Sequence, residues 1–342
     1  MKGRRAGQHK QNRGAGGKAV AVDERVRPGN AILLAMLLVA VGAAVLAAHW
    51  PALSAQALSF DDTQYLTENP LVRNPGWHST KRFLTEILEP STVRGYYQPL
   101  AMISLMLDHA LGGRADDLRP FHRTSLGLHI LNTGLVIVLL YLLFGEPWSA
   151  AMVGLLFGLH PLTVEPIPWV GERKTLLAAF FALLSLIVYV RYTRRPNWRL
   201  YAGVLVLFVL ALMSKPTVTP LPVLLLLLDY WPLGRLNKRA VLEKLPLLVM
   251  AGLFAVVTII SQARTCAIYL PTEQTSGRIP LILCHNIIFY LYKMAWPVNL
   301  SSHYAFPQPL SLSHPMMLAG VLGTALLIPL LLLSWNKTRA FL

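Results

Sequence analysis

Charged residues are scarce in this 342-residue chain, at 14% against roughly a quarter in an ordinary soluble domain, and only 16 residues are acidic. With 54% of residues apolar, that scarcity excludes both overall disorder and a conventional soluble domain. Cysteine is nearly absent. Cys266 and Cys284 could pair across an external loop, but their spacing matches no metal-site pattern. There is no internal repeat of useful period, and no low-complexity stretch beyond the amino-terminal arm, which excludes a solenoid. What the chain does have is a series of apolar runs of about 15–22 residues, each able to cross a hydrocarbon core about 30 Å thick. The sequence therefore predicts an all-α, polytopic helical membrane protein.

The formal net charge of +15 raises nucleic acid as a partner. However, eight of the 31 Lys and Arg lie in the first 27 residues, ahead of the first apolar run, where they set orientation; no nucleic-acid partner is expected. Residues 1–29 read as a disordered basic arm at the cytoplasmic face, and 31–49 as a signal anchor. A cleaved signal peptide is the competing reading, since Ala55-Gln56-Ala57 has the small-x-small form. Residues 51–121 hold no complete span and read as a large external loop with surface helices near 77–87 and 99–111. Further spans are expected at 122–144, 149–163, 176–192, 200–213, 218–231, 246–261 and 316–335. Residues 279–296 are read as a surface or re-entrant helix, for about eight or nine spans if that segment crosses. Two basic loops, Arg191 to Arg199 and Arg235 to Lys244, fall on the cytoplasmic side of this count. The membrane module is 30–335, followed by a short tail, 336–342, and the location is an inner or plasma membrane with the amino terminus in the cytoplasm.

Ionisable residues near a bilayer are costly, so those that this topology gathers at the external mouths are the informative ones. Asp61 and Asp62 follow a long uncharged run; adjacent carboxylates repel, so the pair either holds a cation or supplies an ionised base, unless it is a solvated turn. His160, Glu165, Glu172, Arg173 and Lys174 lie between the third and fourth spans. There Arg173 and Lys174 oppose the orientation bias and suggest an anion site, unless Glu165 and Glu172 simply neutralise them. Lys215 lies between the fifth and sixth spans, able to meet a phosphate as a point charge or to snorkel. His122, Ser125, His129 and Asn132 share one helical face that should meet another helix or a wet cavity. Asp229 is expected to pair with Arg235. Carboxylates beside a basic anion trap suit group transfer from a lipid-linked phosphate, with a carboxylate deprotonating an acceptor hydroxyl and cations stabilising the departing phosphate.

The order of Phe60-Asp61-Asp62, Tyr97-Gln98-Pro99-Leu100, His160-Pro161 with Glu165, Trp169 to Lys174, Met213-Ser214-Lys215-Pro216 and Leu228 to Leu233 resembles the membrane half of bacterial tetratricopeptide-repeat proteins. These are related to the TMTC protein O-mannosyltransferases and, more distantly, to the PMT family, all of GT-C fold. The resemblance implies a GT-C-like module that moves a sugar, mannose first among the candidates, from a polyprenyl-phosphate carrier to a protein hydroxyl. It implies a lipid-linked sugar and an acceptor protein as partners, with Asp61 the catalytic acidic residue, Asp62 its neighbour and Glu165 in support. By electrostatics on matching positions, Arg173, Lys174 and Lys215 would face the carrier phosphate, and Tyr97, His122, His129, His160 and Glu172 would line the substrate cavity. No cofactor is certain; a divalent metal would fall to Asp61 and Asp62. The chain departs from the family pattern at Gln98 and Thr175 and carries no tetratricopeptide array, which a partner or a further carboxy-terminal part would supply. A non-catalytic module that binds lipid phosphate or partner proteins is the alternative, and a transporter a third reading, without the inverted repeats that would favour it.

Overall fold

The computed structural model describes residues 28–56, 61–87, 92, 93, 95, 97–265, 277–301 and 303–337. Residues 1–27 of the basic arm, Ala57 and Cys266 lie outside these. Every regular element among the described residues is helical. Five helical segments are long and apolar enough to cross a membrane: Asn30–Ser54, Arg119–Phe144, Val170–Arg194, Lys238–Arg264 and Pro315–Leu333. Four shorter apolar helices accompany them, giving the polytopic all-α membrane protein the sequence predicts.

Helix α1 (Pro28–His49) begins on a proline, two residues inside the stretch read as arm, and ends in a 3-10 turn, Trp50–Ser54. Four short elements follow in the first loop: α2 (Asp62–Tyr65), α3 (Pro70–Arg73), α4 (Trp77–Leu84) and α5 (Pro99–Ala110). Helix α6 (Arg119–Phe144) stops at Gly145, whose positive φ of 75° suits a glycine C-cap. Glu146 then caps α7 (Pro147–Leu159), accepting from the Trp148 amide. Helices α8 (Arg173–Arg194) and α9 (Trp198–Ser214) form an antiparallel pair, followed by α10 (Leu221–Tyr230), α11 (Lys238–Leu242), α12 (Leu245–Arg264), α13 (Ile279–Ala295) and α14 (Pro315–Lys337).

The bundle core joins α8, α9, α10 and α12 through Tyr189, Phe208, Leu225 and Leu247. Helices α1 and α7 close on α6 at Gly154 and Gly158, where an added Cβ would lie 2.2 Å from Ile137 and 2.5 Å from Val45. The first loop is more than helices resting on a surface: Tyr65, Val72, Phe83, Met102, Leu105 and Phe121 form a second core that caps the bundle. At the opposite end, buried Asp229 receives Tyr189 Oη, Arg235 Nε at 2.9 Å and Lys244 Nζ at 2.5 Å. The expected Asp229–Arg235 pair is present within this larger lock. That end also carries Arg191, Arg194, Arg195, Arg199, Lys238 and Arg239.

Helix α13 packs along α14, with Gly320 so close that a Cβ would meet the His285 backbone at 2.5 Å. Its 17 residues make it shorter than the five long segments. Its carboxy-terminal turn is tied to the site end by a hydrogen bond between His160 Nε2 and the Met294 carbonyl, 3.0 Å. Cys284 is a free thiol.

Candidate functional site

Segments more than a hundred residues apart meet at the mouth between the first-loop cap and α8. The Asp61-Asp62 pair opens α2, and the 3-10 turn Val170–Glu172 opens α8. Asp62 Oδ1 accepts from the Gly171 amide at 2.7 Å, and Asp61 Oδ1 accepts from Trp169 Nε1 at 3.0 Å. Gly171 is required by this approach: a Cβ there would stand 2.9 Å from Asp61 Oδ1 and 3.1 Å from Asp62 Oδ1. Gly171→Ala is therefore expected to push the acidic pair off its seat and to lower any activity of the site more than it lowers the melting temperature of the purified protein. The reverse ranking would show that the contact serves folding alone.

Lys174, in the first turn of α8, sets its ammonium 3.5 Å from Asp61 Oδ2, 3.2 Å from Glu172 Oε1 and 3.2 Å from Tyr65 Oη. Tyr65 also receives Gln98 Nε2 at 2.5 Å, and burial pushes its phenol pKa up, with Lys174 opposing. Lys215 breaks α9 ahead of Pro216 and reaches Glu172 Oε2 at 2.9 Å and Thr175 Oγ1 at 2.7 Å. Asp61, Glu172, Lys174 and Lys215 thus form one alternating-charge array. Asp61 is its most open member, with 31% side-chain exposure against 15% for Glu172, 7% for Lys174 and 17% for Lys215. Glu165 stands exposed at the rim; partial desolvation and the Glu172 carboxylate push its pKa up, with Lys215 pulling the other way.

Other expected site residues lie elsewhere. Arg173 is wholly buried and spends its guanidinium on Asp108 Oδ2 (2.8 Å), Ser104 Oγ (3.0 Å), Ser125 Oγ (3.0 Å) and the Phe121 carbonyl (2.5 Å). This corrects its assignment to carrier phosphate: it is the strut that ties α5, α6 and α8 together. The polar stripe of α6 meets neighbouring segments of the bundle, with His122 Nδ1 and Asn132 Oδ1 buried without a protein partner. His122 bonds the Ala55 carbonyl at 3.0 Å, Asn132 donates to the Leu176 carbonyl at 2.9 Å, and His129 and His49 both donate to the Gly158 carbonyl at 2.9 Å. His122 and His129 are both buried. His160 is engaged with α13, and Tyr97, whose hydroxyl donates to the Leu84 carbonyl at 3.0 Å, packs near Phe254.

Among the described residues, no group of three His, Cys, Asp or Glu side chains converges as metal ligands. One oxygen of each aspartate is taken by a protein N–H, and the other oxygen of Asp61 faces a lysine. That arrangement does not fit a bridging metal at the pair. Trp169, Tyr65 and Thr175 join the site although the sequence reading gave none of them a role in it. Their signal lay in their neighbours, since each sits within a few residues of a carboxylate or lysine in the motifs.

Fold and site together define a polytopic α-helical membrane protein with an acid–base cluster at one mouth of the bundle. Human protein O-mannosyl-transferase TMTC2 is 31% identical over 138 residues, covering 39% of this chain and 16% of that protein. Protein O-mannosyl-transferase Tmtc1 of Drosophila melanogaster is 26% identical over 174 residues, 51% of this chain and 19% of the relative. Human TMTC4 is 26% identical over 156 residues, 40% and 21%. The chain thus matches about a fifth or less of the length of these curated relatives. The similarities support a TMTC-related membrane module. No family model matches the chain, and no solved structure matches it significantly.

Proposed function

We propose that this chain is the membrane module of a glycosyltransferase of GT-C type, which moves a sugar, by analogy mannose, from a polyprenyl-phosphate carrier to a protein hydroxyl. The observation that carries this reading is the convergence of Asp61 with Glu172, Lys174 and Lys215 at one mouth, in a chain similar to proteins named O-mannosyl-transferases. Asp61 is the base that takes the acceptor hydroxyl proton as its oxygen bonds to the anomeric carbon. The bond from that carbon to the carrier phosphate breaks, and the phosphate leaves with the electron pair against Lys174 and Lys215. On this reading the basic loops at the opposite end of the bundle are cytoplasmic, following the positive-inside rule, and the site faces outward from an inner or plasma membrane.

Both lysines are held by Glu172, and an incoming phosphate must draw them away from it. Glu172→Gln is therefore expected to lower the KM for the lipid-linked sugar several-fold, while leaving Asp61 in place as base. The direct test is transfer by the purified full chain in nanodiscs, with a polyprenyl-phosphate mannose and a Ser/Thr peptide, against a nucleotide-sugar control. Transfer from the lipid donor is expected. If the protein binds the lipid donor yet transfers no sugar, it is the non-catalytic lipid-phosphate module instead.

A further inference from the structure

A second cationic feature lies apart from the lysine cluster. A cavity of about 350 Å³ opens in the first-loop cap, lined by Leu66, Arg73, His109, Arg114, Asp116 and Phe121. Arg114 Nη1 donates only to backbone carbonyls, those of His109 and Gly113, both at 2.7 Å. Arg73 Nη1 reaches no nearer partner than the Thr67 carbonyl, at 3.5 Å. Neither arginine forms an ion pair with a carboxylate among the described residues. Asp116 on the rim offsets one of their two charges, so the lining stays net positive. Burial, then the Arg114 and Arg73 charges, pull the His109 imidazole pKa below its ordinary range, with hydrogen bonds to the Arg73 and Gly113 backbone opposing the shift.

Depth relative to the bilayer narrows the ligand. Phe121 is the third residue of α6, whose 26 residues extend about 39 Å against a hydrocarbon core of about 30 Å, so the ends of the helix reach the headgroup layer. The helix that carries His109 and the residue after it also present Leu107 and Leu111, 54% and 80% exposed. Unpaired arginines at headgroup depth, next to open leucines, match a phosphate that comes with acyl chains better than a free ion.

We propose that the Arg73–His109–Arg114 cavity binds the phosphate of an anionic phospholipid headgroup and fastens the first-loop cap to the membrane surface. This site does not depend on the transferase reading. The experiment titrates short-chain phosphatidylglycerol into the purified full chain in phosphatidylcholine nanodiscs and follows the melting temperature. Parallel titrations use inorganic phosphate and additional phosphatidylcholine. Only phosphatidylglycerol is expected to stabilise, and R73Q/R114Q is expected to weaken its apparent affinity about thirtyfold, while R73K/R114K keeps most of it. If R73Q/R114Q already melts lower without the anionic lipid, Leu111→Gln carries the test, with weaker phosphatidylglycerol binding expected. Affinity unchanged by both R73Q/R114Q and Leu111→Gln, or inorganic phosphate acting as well as the lipid, would overturn the proposal.

Discussion

Asp61→Asn is expected to lower sugar transfer by about 10²–10⁴-fold, the usual worth of a general base, while leaving the melting temperature and the KM for the lipid donor close to wild type. The asparagine keeps the side-chain size, and its carbonyl oxygen can still accept from Trp169 Nε1, so the local packing survives. What it loses is the capacity to take a proton, together with the charge that faces Lys174 at 3.5 Å. Asp62 separates chemistry from architecture. It is wholly buried and its Oδ1 receives the Gly171 amide, so Asp62→Asn is expected to act chiefly on stability. Steady-state transfer and thermal melting on both variants check this division. Full turnover by Asp61→Asn would remove the base from the mechanism and leave a module that only binds. A fall confined to donor KM would instead make Asp61 a residue that positions Lys174.

Most of the fold was legible because membrane crossing demands runs of apolar residues, and such runs are visible one position at a time. The expected spans at 122–144 and 246–261 appear as Arg119–Phe144 and Leu245–Arg264, with Pro120 and Pro246 just inside the helix starts and the second helix running on to Arg264. The acidic pair and the two lysines were legible as charges that a bilayer edge does not tolerate without a reason. Arg173 was misjudged because its signal, a cation against the orientation bias, is the same whether it faces a ligand or a buried carboxylate. Its partner Asp108 lies 65 positions earlier, inside a segment that reads as a surface helix. Asp229 shows the same limit: the local partner Arg235 was readable, whereas Lys244 and Tyr189 arrive from other helices. Pairing across the bundle is decided by packing, and no period along the chain encodes it.

Arg173→Met is expected to cost about 3–5 kcal/mol of stability, because it leaves the Asp108 carboxylate buried without its cation. Thr124 Oγ1 would still donate to Asp108 Oδ1 at 2.7 Å, which is too little to hold a full charge in that setting. Burial already pushes the Asp108 pKa up, and Arg173 is the first of the groups that pull it back. Without the arginine only the upward push and the Thr124 bond remain, so the folded variant favours the protonated acid. A carboxyl raised on folding stabilises below its unfolded pKa, and that contribution is lost as pH rises through the folded value. The deficit of the variant is therefore expected to be small at the acid end of the ordinary carboxylate range and to grow above it. R173M/D108N should recover most of the loss at neutral pH, since neutral groups of similar size replace the pair. Melting curves across pH for the single and double variants test this. A deficit that does not change with pH and is not relieved by D108N would assign the cost to lost packing among α5, α6 and α8 instead. Because Lys174 follows Arg173 on the same turn, the recovered double variant also asks whether the strut is needed to aim that ammonium at Asp61. Restored stability without restored transfer would show that it is.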